Sequence, residues 1–272
     1  MDVSSAEDGE ACALILQGLW EYARAGQEVI LLSPYLPASY AFLTHVLLCA
    51  PFLALDALAS VSERVRSWRI APDSGPPPSL RRWFDCFWRV LYRYLTTVLP
   101  ATAVFQTLRS PGPLPELAPS CWQLFVEVFA CFLLFDMLFF MWHFSMHRVP
   151  GLYKRIHQLH HQHHTPFALA AQDASSAELL SLLLLALTSS WVVGCHPLSE
   201  AFFHLINSWL AVEDHCGYDL PWALHRLLPC LGGAPYHQAH HSTYTGNYAP
   251  YFTHWDHLFG TYCASVLHSR PE

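Results

Sequence analysis

Long apolar runs constrain the fold of this chain more than any other feature. Residues 122–142 form the clearest run, and residues 36–60 form another with one His and one Asp in its length. A helix of about 20 such residues crosses the hydrocarbon core of a bilayer. Residues 87–108 make a further run, weakened by Arg89 and Arg93 near its start. The sequence therefore predicts a membrane protein with several spanning helices.

The fourth apolar region, residues 178–212, is interrupted at residues 194–197 by Gly-Cys-His-Pro. Because glycine and proline break helices, its two arms predict a helical hairpin rather than one rod. Residues 11–32 are expected to form an amphipathic helix before the first span. The predicted fold class is all-α, a polytopic membrane protein built as a helical bundle.

Charge narrows the functional class. Only 13% of the residues are charged, against about a quarter in a soluble domain, which argues against a soluble enzyme. Lys and Arg total 14 and the formal net charge is −7. The chain has no basic field of the kind that binds nucleic acid, so no nucleic-acid partner is expected.

Basic residues predict the orientation in the membrane. Five arginines lie between the first two runs, whereas residues 1–35 contain only Arg24. The positive-inside rule therefore places this loop in the cytosol and the N-terminus in the lumen. Two more crossings return the chain to the cytosol at His143. We predict two domains, with an amphipathic segment and two spans in residues 1–119 and a catalytic domain in residues 120–272.

The nine cysteines are scattered without a Cys-x-x-Cys pair. Several lie inside apolar runs, as Cys131 does. We expect them to be reduced and to behave as small buried hydrophobic residues.

Histidines form three clusters with helical spacing. His143 and His147 are four residues apart, and positions i and i+4 share one face of a helix. The same argument applies to two triplets, which are His157, His160 and His161 in one cluster and His237, His240 and His241 in the other. Imidazole ligates Fe, Zn, Cu and Ni, and eight ligands exceed the needs of one ion. The three clusters therefore predict a site for two metal ions, expected at the cytosolic face.

Four other histidines are interpreted differently. His163 and His164 extend the second cluster past its helical face towards a proline, which disfavours helical geometry in the residue before it. We expect them to lie outside the ligand set. His45, in an apolar run, is interpreted as a hydrogen-bonded structural residue, and His268 in the C-terminal tail is discounted.

The three clusters and their flanking apolar runs resemble the fatty acid hydroxylase superfamily of membrane di-iron enzymes over residues 122–262. Further motifs resemble the members that hydroxylate sterols, namely Phe135-Asp136 and residues 149–153, 167–170, 194–198, 212–218 and 249–256. The resemblance implies a multi-pass enzyme of the endoplasmic reticulum membrane. It would hold two irons and use O2 to hydroxylate the cholesterol side chain at C25, with electrons from NADPH through a reductase.

Carried over by position, the eight clustered histidines match the family's metal ligands and are the expected catalytic residues. His215 matches a further ligand, whereas Asp219 stands where some members have a tenth. Asp136 lies two helical turns before His143 and is expected to accept the free N–H of a ligand imidazole. An equally strong interpretation is a polar residue satisfied by a neighbouring helix.

Two other functions stay open. A sterol C4-methyl oxidase or a membrane desaturase would use nearly the same clusters. A membrane metal transporter would also bind two ions. Its ionisable ligands should lie at mid-depth in the spans, whereas these clusters lie just beyond span ends among Arg and Lys.

Overall fold

The computed structural model describes residues 3–72, 75–109 and 112–264, with side chains from residue 11 onward. Among these residues the secondary structure is helical apart from two isolated β-bridges. The eight longer helices are α1 (Val3–Arg24), α2 (Leu36–Val61), α3 (Leu80–Arg93), α4 (Leu99–Arg109), α5 (Cys121–Arg148), α6 (Ser176–Val193), α7 (Pro197–Asp214) and α8 (Gly233–Thr243). The predicted all-α membrane fold is confirmed. His268 lies outside the described residues.

Shorter helical turns join these helices. They are Glu28–Leu31, Glu63–Arg66, Pro150–Leu152, Leu224–Leu227 and His254–Leu258, with π-helical turns at Tyr94–Val98 and Tyr153–His157 and 3-10 turns at His160–Gln162 and Ala168–Gln172.

Three of the described helices are long and apolar enough to cross a membrane, namely α2, α5 and α6. The second predicted run, residues 87–108, contains a π-helical turn that the sequence did not predict. Residues 80–109 are nevertheless helical throughout, because the π-helical turn at Tyr94–Val98 joins α3 to α4 without a gap. This turn follows Arg93, whose guanidinium bonds the Asp173 carboxylate.

The hairpin is formed as predicted. Gly194 ends α6 in the left-handed conformation at φ 72°, which costs glycine no strain because it has no Cβ. Pro197 then begins α7 at a position where a missing N–H is harmless. The predicted amphipathic helix over residues 11–32 is wrong in its bounds. Helix α1 ends at Arg24, close to Gly26, which also adopts a positive φ of 69°.

Helix α7 lies at the centre of the bundle. It packs on α2 through Phe52 and Val212 and on α5 through Phe132, Phe135 and Phe203. Burial of each such side chain stabilises the fold by about 1.5–3 kcal/mol. The histidine-bearing ends of α5 and α7 are therefore held at a fixed separation.

Helix α1 is fastened to the start of α5 by a disulfide between Cys12 and Cys121. Trp20 Nε1 also donates to the Pro115 carbonyl at 2.9 Å. The prediction that all cysteines are reduced and buried is thus wrong. This pair is oxidised, and Cys230 and Cys263 are exposed.

The arginine-rich loop after α2 lies on the same side of the bundle as the second histidine cluster. Ile70 N donates to the Gly217 carbonyl at 3.1 Å, and Asp219 N donates to the Trp68 carbonyl at 2.8 Å. Arg82 reaches the Thr165 carbonyl at 3.4 Å.

Candidate metal centre

The structure brings nine histidines together in two adjacent groups, and they are the nine that the sequence proposed as ligands. In each group the candidate ligand atoms lie within 4.8 Å of one another. The five-histidine group contains His143, His147, His157, His161 and His240. The four-histidine group contains His160, His215, His237 and His241.

Different backbone forms deliver these side chains. Helix α5 carries His143 and His147 on one face, and α8 carries the last cluster. The second cluster was expected on an α-helix. Instead, His157 ends a π-helical turn, and His160 and His161 begin a 3-10 turn. The 3-10 turn ends before His163, so the expectation that helical structure stops before His164 is confirmed.

Imidazole Nε2 atoms face each other in the five-histidine group. His157 Nε2 lies 2.9 Å from His143 Nε2 and 3.0 Å from His161 Nε2. His240 Nε2 lies 3.1 Å from His161 Nε2. Two nitrogens that each bind one ion at about 2.1 Å, at a right angle, are about 3.0 Å apart. These separations therefore fit the edges of a metal coordination shell.

The four-histidine group repeats this spacing. His215 Nε2 lies 3.1 Å from His160 Nε2 and 3.0 Å from His237 Nε2. His241 Nε2 lies 3.0 Å from His237 Nε2. Both groups therefore fit a transition-metal ion bound by imidazole nitrogens. The role of the nine histidines as ligands stays a prediction.

Backbone carbonyls select the imidazole tautomer in both groups. The Nδ1 atoms of His143, His215 and His240 donate to the carbonyls of Tyr248, Ala211 and Gly246, at 2.7, 2.8 and 2.8 Å. A carbonyl only accepts, so Nδ1 carries the proton and the lone pair of a neutral ring is on Nε2. The rings are therefore held with their metal-binding atoms facing inward.

Burial keeps these rings neutral. It lowers the pKa of His215 and that of His240 to about 4. Burial and the neighbouring imidazoles lower the pKa of His160, His237 and His241 well below the ordinary value. A metal ion binds the neutral imidazole, so these side chains need not release a proton before binding at neutral pH.

Glu178 is part of the site and was not identified from the sequence. Its Oε1 accepts from His157 Nδ1 at 2.8 Å, and both side chains are buried. Ser175 caps α6 by accepting from Glu178 N at 3.1 Å, and its hydroxyl donates to the Ile156 carbonyl at 2.7 Å. The signal available in the sequence was Ser-x-x-Glu at the start of an apolar run, which marks a helix N-terminus.

Of the two interpretations of Asp136, the one in which it accepts from a ligand imidazole is wrong. Its Oδ1 accepts from the backbone N–H groups of Tyr251 and Phe252, at 3.0 and 3.1 Å, and not from an imidazole. Asp256 is buried beside it and accepts from Tyr248 N at 2.9 Å. The two carboxylates therefore fix the loop that supplies the carbonyl partner of His143.

The remaining candidates lie outside both groups. His163 donates from Nε2 to Asp173 at 2.9 Å, and His164 contacts the Tyr244 hydroxyl. Asp219 forms ion pairs with Arg226 and His225. His45 is buried in α2 with Cys49 Sγ at 3.8 Å, as expected for a structural residue.

An apolar cavity of about 200 Å³ opens onto the metal centre from within the bundle. Phe135, Phe139, Leu179 and Leu183 line it, and His143, His157, His160, His215 and His237 form its inner end. A hydrocarbon in this cavity would end beside the imidazoles and away from water.

The comparisons with known proteins agree with this geometry. The chain is 43% identical to cholesterol 25-hydroxylase of Homo sapiens over 94% of each chain. It is 44% identical to cholesterol 25-hydroxylase of Mus musculus over 95% of this chain and 86% of the relative. Residues 128–261 match the fatty acid hydroxylase family. The chain belongs to the fatty acid hydroxylase family.

Membership confirms the resemblance seen in the sequence and makes the protein a hydroxylase. The chain is also 34% identical to methylsterol monooxygenase erg25A of Aspergillus fumigatus, over 81% of this chain and 75% of the relative. No solved structure matches the chain.

Proposed function

We propose that this hydroxylase uses a di-iron centre and O2 to hydroxylate cholesterol at C25, giving 25-hydroxycholesterol. The observation that carries the proposal is the joining of two all-imidazole groups to an apolar cavity inside a membrane bundle. The curated mammalian relatives are named for this activity.

The donor set favours a redox metal. Both groups consist of neutral imidazoles, which suit iron as well as zinc, and zinc has no redox chemistry. Bound iron would supply the electron transfer that activates O2, with electrons from NADPH through a reductase. The chain itself orients the ligand rings through Tyr248, Gly246 and Glu178 and excludes water with the apolar cavity wall.

We further propose an endoplasmic reticulum location with the metal centre on the cytosolic face. The arginine-rich loop packs against residues 217–219, on the side of the second histidine cluster, which agrees with the positive-inside rule. At the other end of α5, Cys121 forms a disulfide with Cys12, as favoured in an oxidising lumen.

Cysteine labelling in sealed microsomes tests this orientation. A membrane-impermeant maleimide should label the exposed Cys230, close to α8, without detergent. Cys12 should react only after both reduction and detergent. Labelling of Cys230 that required detergent would contradict the orientation.

Sterol profiling tests the activity. Cells expressing the protein should accumulate 25-hydroxycholesterol by mass spectrometry, and cells expressing His240→Ala should not. The erg25A relative makes C4-methyl oxidation the second candidate, and 4-hydroxymethyl sterols as the only new products would support it. Desaturation would yield a new double bond instead, and unchanged sterols with altered cellular iron would favour transport.

A further inference from the structure

One face of α7 lines the cavity from its distal end to the metal centre. His204, Ser208, Ala211 and His215 line the cavity and recur at helical spacing. His204 precedes His215 by eleven residues, which corresponds to about 16 Å of helix. This is comparable with the distance from the ring hydroxyl to the end of the side chain in an extended sterol.

His204 has a ring nitrogen without a hydrogen bond among the described residues. That nitrogen is Nε2, and it is buried. Glu200 Oε1 lies 3.9 Å from it, which is ion-pair distance but too long for a hydrogen bond. His204 lines the cavity and its side chain is 16% exposed, so another edge of the imidazole is open to a ligand group there.

Asn207 lies one turn further along the cavity wall. Its Oδ1 accepts from the Tyr251 hydroxyl at 2.8 Å, which fixes the orientation of the amide. No described residue accepts from its Nδ2. The distal part of the cavity thus offers an imidazole and an amide donor close together.

The charges nearby are already neutralised. Arg109 Nη1 lies 3.3 Å from both carboxylate oxygens of Glu200, and the Ser190 hydroxyl donates to Glu200 at 3.0 Å. A ligand carboxylate would face Glu200 without a free cation. A hydroxyl group, which both donates and accepts, suits the imidazole and the amide better.

The wall between these polar groups and the metal centre is largely apolar, with Phe135, Leu183, Ala186 and Leu187 among its residues. The cavity therefore fits a hydrocarbon skeleton with one hydroxyl at the end opposite to the reacting carbon. We propose that His204, supported by Asn207, binds the ring hydroxyl of the sterol and so sets which side-chain carbon reaches the metal centre. This proposal rests on the proposed sterol hydroxylase function.

The test compares cholesterol with cholest-5-ene, which lacks only the ring hydroxyl. We expect the wild-type enzyme to prefer cholesterol by about tenfold in kcat/KM, as for loss of one buried hydrogen bond. His204→Leu should abolish the preference by lowering kcat/KM for cholesterol alone, and its products should carry oxygen at more than one side-chain carbon. His204→Gln should restore both properties. His254→Leu, at an exposed position, is the matched control and should match the wild type.

Binding of radiolabelled cholesterol to purified metal-free protein separates this proposal from the hydroxylase function, because binding needs no turnover. We expect unlabelled cholesterol to displace the label about tenfold better than cholest-5-ene in the wild type, and equally well in His204→Leu. Equal displacement by both sterols in the wild type would overturn the proposal, even if 25-hydroxycholesterol is made. An unchanged preference and a single product in His204→Leu would also overturn it. If binding depended on the ring hydroxyl but no hydroxylated sterol formed, the role of His204 in sterol binding would be supported and the proposed hydroxylase function would be wrong.

Discussion

The two halves of the metal centre are held in place by different means. In the five-histidine group, His143, His157 and His240 each hydrogen-bond an acceptor through Nδ1. Among the described residues of the four-histidine group, only His215 has such a partner. The Nδ1 atoms of His160 and His241 are buried without one, as is that of His161 in the five-histidine group.

Exposure also differs between the halves. All members of the four-histidine group are buried, whereas His147 in the five-histidine group is partly exposed. The first half is therefore oriented by specific hydrogen bonds at a more open edge, and the second by packing in the interior. A hydrogen-bond partner can be changed without creating a cavity, so the two halves respond to different substitutions.

The largest effect is expected from removing one ligand in either half. His240→Ala and His160→Ala should each lower hydroxysterol yield per unit of protein by more than about a hundredfold, because outer partners alone are worth about 10–100-fold. Metal analysis of the purified variants should show about one ion in place of two. Full metal content in either variant would argue against that ligand.

The second effect distinguishes the halves. Glu178→Gln weakens the acceptor of His157 Nδ1, and we expect activity and metal affinity to fall about 10–100-fold in the five-histidine group only. Glu127→Gln is the matched control, because Glu127 bonds His196 N at the opposite end of the bundle. Equal losses of activity in both variants would contradict the proposed difference between the two histidine groups. Loss of metal from the four-histidine group in Glu178→Gln would contradict it as well.

The nine histidines could be selected from the sequence because i, i+3 and i+4 spacing is local information. The hydrogen-bond partners of these histidines could not be predicted from the sequence. Every residue carries a carbonyl, so nothing in the sequence distinguishes those of Tyr248 and Gly246. Asp136 was placed on the correct face of α5, but its partners at residues 251 and 252 belong to a loop 115 residues later in the chain. Tertiary packing places that loop, and not an imidazole, beside the Asp136 carboxylate.

The apolar runs predicted the long helices but not the irregular turn within one of them. Residues 36–60 and 122–142 were predicted as spans and lie within α2 and α5. The run at 87–108 was predicted as one span, but its π-helical turn was not predicted. That turn follows Arg93, which binds Asp173 eighty residues later in the chain, as Arg89 does. A long-range ion pair of this kind has no local signature.

A smaller difference between the two histidine groups is expected in the rate at which a chelator removes their metal ions. Because His147 is partly exposed, we expect a chelator to remove the ion of the five-histidine group several-fold faster than the other. Stopped-flow release from the holoenzyme should then show two phases. Glu178→Gln should accelerate the faster phase alone, and a single phase in the wild type would show that exposure does not separate the halves.

The smallest effects on turnover are expected at the two histidines that flank the second cluster. His163 lies near the four-histidine group but bonds Asp173, which Arg89 and Arg93 also bind at 2.6 Å. His163→Ala should lower the free energy of unfolding by about 1.5–3 kcal/mol, the range for a hydrogen bond to a charged group. Hydroxysterol yield should stay within about twofold of the wild type, because no ligand is removed.

His164→Ala adds a further comparison, because the His164 side chain is exposed and contacts only Tyr244 among the described residues. We expect neither stability nor turnover to change measurably, since exposed substitutions are usually within about 0.5 kcal/mol. The prediction is checked by measuring thermal unfolding, metal content and product yield. The variants to compare are His160→Ala, His163→Ala and His164→Ala. Loss of metal from His163→Ala would place that residue in the four-histidine group, and equal loss of turnover in all three would show that histidines outside the two groups also serve the centre.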